Sequence, residues 1–198
     1  MNPKVIAVAA PVGGGKSTLV RGLAGRLPAA SAIFLDKYER FTQQPVEQMR
    51  RWLRDGANPD MLAIPGLAED LAALKSGLPV ADPLTGSTIT PGRYLVLETQ
   101  FGRRHAATGR HIDFLVWIDT PLDIALARKL RQVAAGIDGR DAAFVPWLRG
   151  YLESYLDLVG ESLRVQRDTV RAQADLIVDG MQLPDAVLAQ VESAVLRR

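Results

Sequence analysis

Short runs of aliphatic residues recur along the chain and predict the strands of a sheet. Five runs rich in Val, Ile and Leu lack polar alternation, which is typical of strands covered on both faces. They span residues 4–9, 32–35, 94–97, 114–118 and 176–178. Because helical patterns separate them, we expect an α/β fold with a parallel sheet wrapped by helices.

The helical patterns are clearest after the first and fourth strands. Leucines spaced four apart over residues 19–27 predict one helix, which Pro28 ends. A second apolar stripe over residues 122–133 predicts another. For that helix we expect Thr120 as the N-cap and Asp123 as the acid of a capping box.

Two long segments lie between strands and carry further helical patterns. Residues 37–93 contain two of them, at 45–55 and 67–76, and then a loop rich in Gly, Pro and Thr. A connection of this length is too long to be structureless, so we expect an acceptor-binding insertion. The second region, 136–173, continues into a long helical pattern. No repeat or linker divides the chain, which we treat as one domain over 1–198.

Composition narrows the class of protein. The chain has 198 residues, of which 47% are hydrophobic and 23% charged, with no Cys and a formal charge of +2. The lack of Cys excludes a disulfide scaffold and fits a cytoplasmic protein. No apolar run approaches the roughly 20 residues that cross a bilayer, so we expect no membrane segment. The aromatic residues are not interleaved with basic ones, and we expect no nucleic-acid partner.

A glycine-rich loop joins the first predicted strand to the first predicted helix. Its residues are Ala10, Pro11, Val12, Gly13, Gly14, Gly15, Lys16, Ser17 and Thr18. Strand, loop and helix in this order predict a phosphate-binding P-loop, in which backbone N–H groups and the helix dipole hold phosphate. Lys16 would reach the terminal phosphates and Ser17 would offer its hydroxyl to Mg²⁺. The usual first Gly is Ala10 here, which a negative φ allows.

Two carboxylates end candidate strands at the edge where open α/β sheets bind ligands. Asp36 could accept a proton from an attacking hydroxyl, or it could cap a helix. Glu98 occupies the position of a Walker B acid that holds Mg²⁺, although an acid at a strand end is often structural. Asp119 also ends a strand, and we interpret it as structural.

Arginines form two candidate groups. Arg128 and Arg131 share a helix face, and Arg140 follows in a polar loop, so the three could close over a triphosphate or simply face solvent. Arg103 and Arg104 follow Glu98 closely and could contact an acidic acceptor or lie in a solvated loop.

Several segments, taken in order, resemble one family. They are residues 10–17, 34–38, 71–83, 95–98, 117–121, 139–141 and 174–178. Over nearly its whole length the chain resembles the uridine kinase, phosphoribulokinase and pantothenate kinase group of P-loop kinases. The resemblance implies a three-layer P-loop NTPase sandwich with five parallel strands in the order 2-3-1-4-5. It also implies a helical lid at about 136–150.

The resemblance also implies roles for single residues. Asp36 would be the catalytic base, and Ser17 with Glu98 would hold the metal ion. Lys16 and the P-loop amides would hold the phosphates, and Arg128 with Arg140 would stabilise the developing charge. Arg131 would join the P-loop in binding the nucleotide. The residues expected to contact the acceptor are Asp36, Tyr38, Glu98 and Arg103.

The departures from the family concern the acceptor. By loose alignment, the positions where uridine kinases contact the nucleoside are Glu39, Ala57, Thr85 and Gly86. No acid would then face the sugar, and no Tyr or His would face the base. The expected activity is therefore transfer of the γ-phosphoryl group of ATP, with Mg²⁺, to a hydroxyl of a sugar, polyol or hydroxy acid.

Two alternatives stay open, and so does a homodimer. One is a uridine or cytidine kinase with a diverged pocket; the other is an ATP-binding regulator or ATPase without a small-molecule acceptor. A GTPase switch is disfavoured, because neither Asn2 nor Asn58 is followed directly by Lys, as guanine recognition requires.

Overall fold

A parallel five-stranded sheet forms the centre of the protein. The computed structural model describes residues 2–137 and 143–198. In chain order the described strands are β1 (Lys4–Ala9), β2 (Ala30–Phe34), β3 (Val80–Ala81), β4 (Thr88–Ile89), β5 (Tyr94–Thr99), β6 (Phe114–Asp119) and β7 (Leu176–Asp179). The sheet order is β2-β5-β1-β6-β7, and all its pairings are parallel. Counting only these five strands, the order is 2-3-1-4-5, which confirms the expected topology.

Helices cover both faces of this sheet. The described α-helices are α1 (Lys16–Arg26), α2 (Val46–Arg54), α3 (Leu67–Lys75), α4 (Ala106–Gly109), α5 (Leu122–Ala135), α6 (Phe144–Ser154), α7 (Gly160–Arg171) and α8 (Pro184–Leu196). Short 3-10 turns occupy residues 35–37, 41–43, 59–61 and 102–104. A π-helical turn, Tyr155–Val159, joins α6 to α7 without a break, and such turns often occur at functional sites.

The alternation of side chains along β1 explains the three layers. Val5 and Ala7 pack into one hydrophobic cluster with α3 and the buried end of α7, whereas Ile6 and Val8 pack into the opposite cluster with α1 and α8. Because β1 has partners on both edges, its side chains are buried on both faces. This is the burial that the continuous aliphatic runs predict.

Two local expectations are corrected. The segment expected to be only a loop after α3 contains an antiparallel hairpin, β3–β4, with two residues in each strand. Thr120 is not the N-cap of α5, because the helix begins one residue later, after Pro121, and has no side-chain cap. The Thr120 hydroxyl instead donates to the Gly14 carbonyl at 3.3 Å, which ties the end of β6 to the glycine-rich loop.

Within residues 2–137 and 143–198, no helix has both the length and the apolar composition needed to cross a membrane.

At the amino edge of the sheet, Gly92 lies so close to the backbone of Ala29 that a substitution there tests the stability of the fold. A Cβ at Gly92 would lie 2.0 Å from the Ala29 carbonyl oxygen, so we expect Gly92→Ala to lower the free energy of unfolding by about 1–3 kcal/mol or more. The matched control is Gly150→Ala in the interior of α6, where a Cβ would meet nothing within 4 Å. There the free energy of unfolding should rise by about 0.5–1 kcal/mol. Urea unfolding of both variants measures the difference, and equal stabilities would contradict the expectation.

Candidate active site

The glycine-rich loop turns tightly between β1 and α1. Gly13 and Gly15 have φ values of +82° and +98°, a region that residues with a Cβ rarely adopt, and the Gly14 N–H donates to the Pro11 carbonyl at 2.9 Å. The loop also packs closely on α5, since a Cβ at Gly13 would lie 2.1 Å from the Ala125 carbonyl oxygen. The loop conformation therefore requires glycine at positions 13 and 15, as a phosphate-binding turn does.

Lys16 is held inside this loop. The residue is only 8% exposed, and its Nζ donates to the carbonyls of Ala10 at 3.0 Å and Pro11 at 3.2 Å. Burial lowers the pKa of Lys16 to about 8, although the charges of Glu98 and Asp36 oppose that shift. A phosphate entering the loop would offer the ammonium group a stronger partner than two carbonyls.

Glu98 lies beside this lysine. It is paired with Val8 of β1 and Phe34 of β2 in the sheet register, and the residue is 8% exposed. Its Oε2 is buried and has no hydrogen-bond partner among residues 2–137 and 143–198. Burial raises the pKa of Glu98, and the charge of Lys16 and a hydrogen bond from Ser17 offset only part of the effect. A buried, unpaired carboxylate oxygen needs a cation or donor from outside the chain.

These residues fit a magnesium ion. A carboxylate and a hydroxyl are hard oxygen donors, which Mg²⁺ prefers, and Glu98 and Ser17 supply one of each. In the part of the chain that the structure describes, no group of three or more His, Cys, Asp or Glu residues forms a metal cage. Mg²⁺ is commonly bound by one or two protein oxygens together with waters and substrate phosphates, and this donor set suits that mode.

Asp36 completes the acidic side of the site. It lies in the 3-10 turn directly after β2 and is exposed. Its charge raises the pKa values of both Lys16 and Glu98, so the three groups are electrostatic neighbours. The structure thus brings together the predicted base, the predicted metal ligand and the loop lysine.

The predicted arginines have different surroundings. Arg128 donates to the Gly180 carbonyl after β7 at 2.9 Å, and Arg131 is exposed on α5. Arg140 lies outside the described residues.

Sequence reasoning missed Lys129, whose charge lowers the pKa of Lys16 and whose Cβ would lie 3.3 Å from a Cβ at Gly13. Its spacing of four from Ala125 puts it on the helix face that contacts the loop, a signal available only once that face is known.

A cavity of about 370 Å³ opens beside the loop, between the 41–62 segment and the helices α6 and α7. Val12, Gln100 and Lys129 mark its end at the glycine-rich loop. Its other lining residues are mainly aliphatic and aromatic, with Arg104 and several neutral polar groups among them. Part of the expected insertion thus forms one wall, and the long helical region forms the other.

The described residues that line this cavity include none of the four predicted acceptor contacts, Asp36, Tyr38, Glu98 and Arg103. Tyr38 is 3% exposed, its ring is in the core, and its hydroxyl donates to Asp70 at 2.9 Å. Burial together with this bond raises the pKa of Tyr38. Arg103 donates to the Asp175 carboxylate at 2.6 Å and to the Gln173 carbonyl at 2.9 Å, beside the amino end of β7. Neither residue lines the cavity, whereas Arg104 does.

A second residue that sequence reasoning missed is Gln166 on α7. Its Nε2 donates to the Ala10 carbonyl at 3.3 Å and to the Gln100 carbonyl at 2.5 Å, and it also lines the cavity. One side-chain amide therefore connects the cavity wall to the glycine-rich loop and to the end of β5. Nothing near Gln166 in the sequence distinguishes it, because both partners are distant along the chain.

Comparison with known proteins identifies the fold. No family model matches the chain, and no curated protein matches it either. Solved structures do match. One, described as a possible uridine kinase from Bacillus stearothermophilus, is 14% identical with a TM-score of 0.55, and the match covers 90% of each chain. The chain has the fold of the P-loop kinases.

Two further structures with this P-loop kinase fold match over most of their length. A sugar kinase from Janibacter sp. HTCC2649 is 15% identical with a TM-score of 0.53, and the match covers 98% of this chain and 94% of that one. A shikimate kinase from Acinetobacter baumannii, solved with shikimate, is 15% identical with a TM-score of 0.52 and the same coverage. The expected α/β architecture is confirmed.

Burial of Lys16 predicts a pH dependence of phosphate binding in this P-loop kinase fold. With a pKa of about 8, Lys16 is mainly charged at pH 7 and loses its proton as the pH rises through 8. A bound triphosphate favours the charged form, so ATP binding above pH 8 must take up a proton. We expect the affinity for Mg²⁺-ATP to fall by up to about tenfold per pH unit between pH 8 and 9.5. Calorimetry in buffers of different ionisation enthalpy measures both quantities. The control is Lys16→Met, which should lose the proton uptake, and a constant wild-type affinity would contradict the assignment.

The position of Arg103 predicts a structural role. Removing its charged bonds to Asp175 and Gln173 should lower the free energy of unfolding of Arg103→Gln by about 1–2 kcal/mol. Affinity for ATP should be unchanged, because the guanidinium is not near the loop. The matched control is Arg149→Gln on the exposed face of α6, which should leave stability within about 0.5 kcal/mol. A stable Arg103→Gln protein with weakened ligand binding would restore the original assignment.

Proposed function

We propose that the protein is an ATP-dependent kinase that transfers a phosphoryl group to a hydroxyl of a small metabolite. The observation that carries the proposal is the meeting of three groups at one sheet edge. They are buried Lys16, Asp36, and Glu98, whose Oε2 has no partner in the part of the chain that the structure describes. A phosphate-binding loop alone would suit any nucleotide-binding protein. A carboxylate placed across the same edge gives the proton of an acceptor hydroxyl somewhere to go.

In this proposal the chain's own residues position the reactants. The N–H groups of the loop and the Lys16 ammonium hold the phosphates, and Ser17 and Glu98 hold Mg²⁺, which supplies neutralising charge at phosphate oxygens. The acceptor oxygen forms a bond to the γ-phosphorus as the bond from that phosphorus to the bridging oxygen breaks. ADP leaves, and the hydroxyl proton passes to Asp36. Since the transition state is loose, positioning matters more than the strength of the base.

We assign to the cations around the loop the role of stabilising the negative charge that develops during phosphoryl transfer. Lys129 already acts electrostatically on Lys16, which supports its inclusion. Arg128, Arg131 and Arg140 remain proposals for this role and for nucleotide contact. Arg128 donates one hydrogen bond to the Gly180 carbonyl, so its participation requires release of that bond or contact through its other N–H groups.

The local structure at the aligned nucleoside positions supports an acceptor other than a nucleoside. Glu39 accepts bonds from the N–H and hydroxyl of Thr42 at 3.0 and 2.6 Å, and so stabilises its own turn. The Thr85 hydroxyl is bonded to that of Ser87 in the hairpin. The comparison structures are named for uridine, sugar and shikimate kinases, and of the three acceptor types we favour a non-nucleoside.

The test is ATP consumption by the full chain against a panel of hydroxylated sugars, polyols, hydroxy acids and nucleosides. Acceptor-dependent release of ADP supports a kinase, and the best acceptor identifies its class. Release that is equal with and without acceptors would favour an ATPase or regulator. Efficient phosphorylation of uridine, with kcat/KM of about 10⁴ M⁻¹s⁻¹ or more, would favour a pyrimidine nucleoside kinase.

The proposed base gives a sharper prediction. We expect Asp36→Asn to keep ATP affinity within a few-fold of wild type and to lower turnover by about two to four orders of magnitude, as loss of a general base does. The matched control is Asp55→Asn, an exposed acid at the end of α2, which should keep full turnover. Nucleotide titration and steady-state rates measure the two effects separately. A loss of less than tenfold would make Asp36 a structural residue.

A further inference from the structure

The walls of the cavity beside the loop are unusual for a sugar site. A site that binds several hydroxyl groups needs matching hydrogen-bonding side chains, because unpaired polar groups are costly. Here the larger part of the lining is apolar. The aromatic and large aliphatic residues among the lining are Val12, Phe41, Val46, Met49, Trp52, Leu62, Phe101, Tyr151, Leu158, Val159, Leu163, Val165 and Val170. A volume of about 370 Å³ with such walls suits a ligand whose body is apolar.

The charged side chains among the described lining residues of the cavity are all basic. Across the described stretches of the chain, the charged residues that line it are Arg104 and Lys129, and none of the lining residues is Asp or Glu. Lys129 lies at the loop end and acts on Lys16, so it belongs to the phosphate side. Among the described residues, Arg104 is therefore the cation that faces the body of the cavity.

Arg104 differs from its neighbours in having no partner. Within residues 2–137 and 143–198 its guanidinium makes no hydrogen bond or ion pair, and the residue is half-buried. Arg103, next to it, is paired with Asp175, and Arg50 on α2 is paired with Asp157 of the π-helical turn. A partly desolvated guanidinium without an anion costs free energy that a ligand anion would recover.

We propose that the cavity binds a hydroxylated monocarboxylate with an apolar body, and that Arg104 holds its carboxylate. The proposal rests on the proposed function in one respect, since the ligand is then the phosphoryl acceptor, with its hydroxyl directed to the end marked by Val12 and Lys129. The planar fork of Arg104 matches a carboxylate in a bidentate pair. One guanidinium among apolar walls suits a monoanion better than a phosphate dianion, which needs more donors. Among the classes considered above, this favours a hydroxy acid over polyols and free sugars.

Binding measured without nucleotide tests the proposal independently of catalysis. The probes are para-(hydroxymethyl)benzoate, its neutral amide, and glucose, each titrated into the full chain by calorimetry. Tryptophan fluorescence, to which Trp52 in the cavity lining contributes, is a second readout. We expect the benzoate to bind at least about tenfold more tightly than the amide, the range of a charge-assisted pair, and glucose not to bind.

Variants then assign the difference to one side chain. Arg104→Gln should reduce the preference for carboxylate over amide to less than about twofold, and Arg104→Lys should keep part of it, since the charge stays but the fork is lost. Arg149→Gln, exposed and outside the cavity, should keep all of it. Thermal unfolding checks that the variants are folded.

The outcomes separate this proposal from the kinase proposal. Equal binding of benzoate and amide, no binding of either, or tighter binding of glucose overturns the assignment of Arg104 and of the ligand class, whatever the enzyme does with ATP. Benzoate binding that depends on Arg104 supports the assignment. If that binding is present and benzoate still does not stimulate ADP release, the ligand class stands and its role as acceptor for this kinase fails.

Discussion

The central position of β1 is the constraint on which the site depends. Its two parallel partners, β5 and β6, bring their carboxyl ends to the same edge as the loop that follows β1. Glu98 from β5 therefore meets Lys16 from the loop, and Thr120 after β6 reaches the carbonyl of Gly14. Both faces of β1 are filled by hydrophobic side chains, so this arrangement is held by the core rather than by the charges themselves.

Lys16 and Glu98 are buried charged groups that a phosphate and a metal ion would partner better than the chain itself does. The Lys16 ammonium donates to carbonyls of its own loop, while Oε2 of Glu98 beside it has no donor among the described residues. Filling the loop with phosphate would give the lysine a charged partner, and a metal ion would give Glu98 the cation it lacks. Because these groups are buried, their electrostatic interaction with a charged ligand is stronger than it would be on an open surface.

The parts of the site that the sequence predicts are those encoded by adjacent residues. The loop, Asp36 and Glu98 each follow a recognisable strand, so position along the chain implies position in space. Arg103 and Arg104 could not be told apart, because the direction of Arg103 is decided by its pairing with Asp175, 72 residues away along the chain. Gln166 and Lys129 acquire their contacts only when α7 and α5 pack against the loop. The β3–β4 hairpin has strands of two residues, too short to give an alternating pattern.

Gln166 links two regions that would otherwise respond separately. Its amide donates to the carbonyls of both Ala10 and Gln100, so a displacement of α7 large enough to break these bonds leaves two acceptors at the loop and strand end without that donor. A movement of the cavity wall and a change in the loop conformation would therefore break the same hydrogen bonds, so their free energies are coupled. By thermodynamic linkage such coupling is reciprocal: whatever a ligand in the cavity does to nucleotide affinity, the nucleotide does equally to the affinity of that ligand.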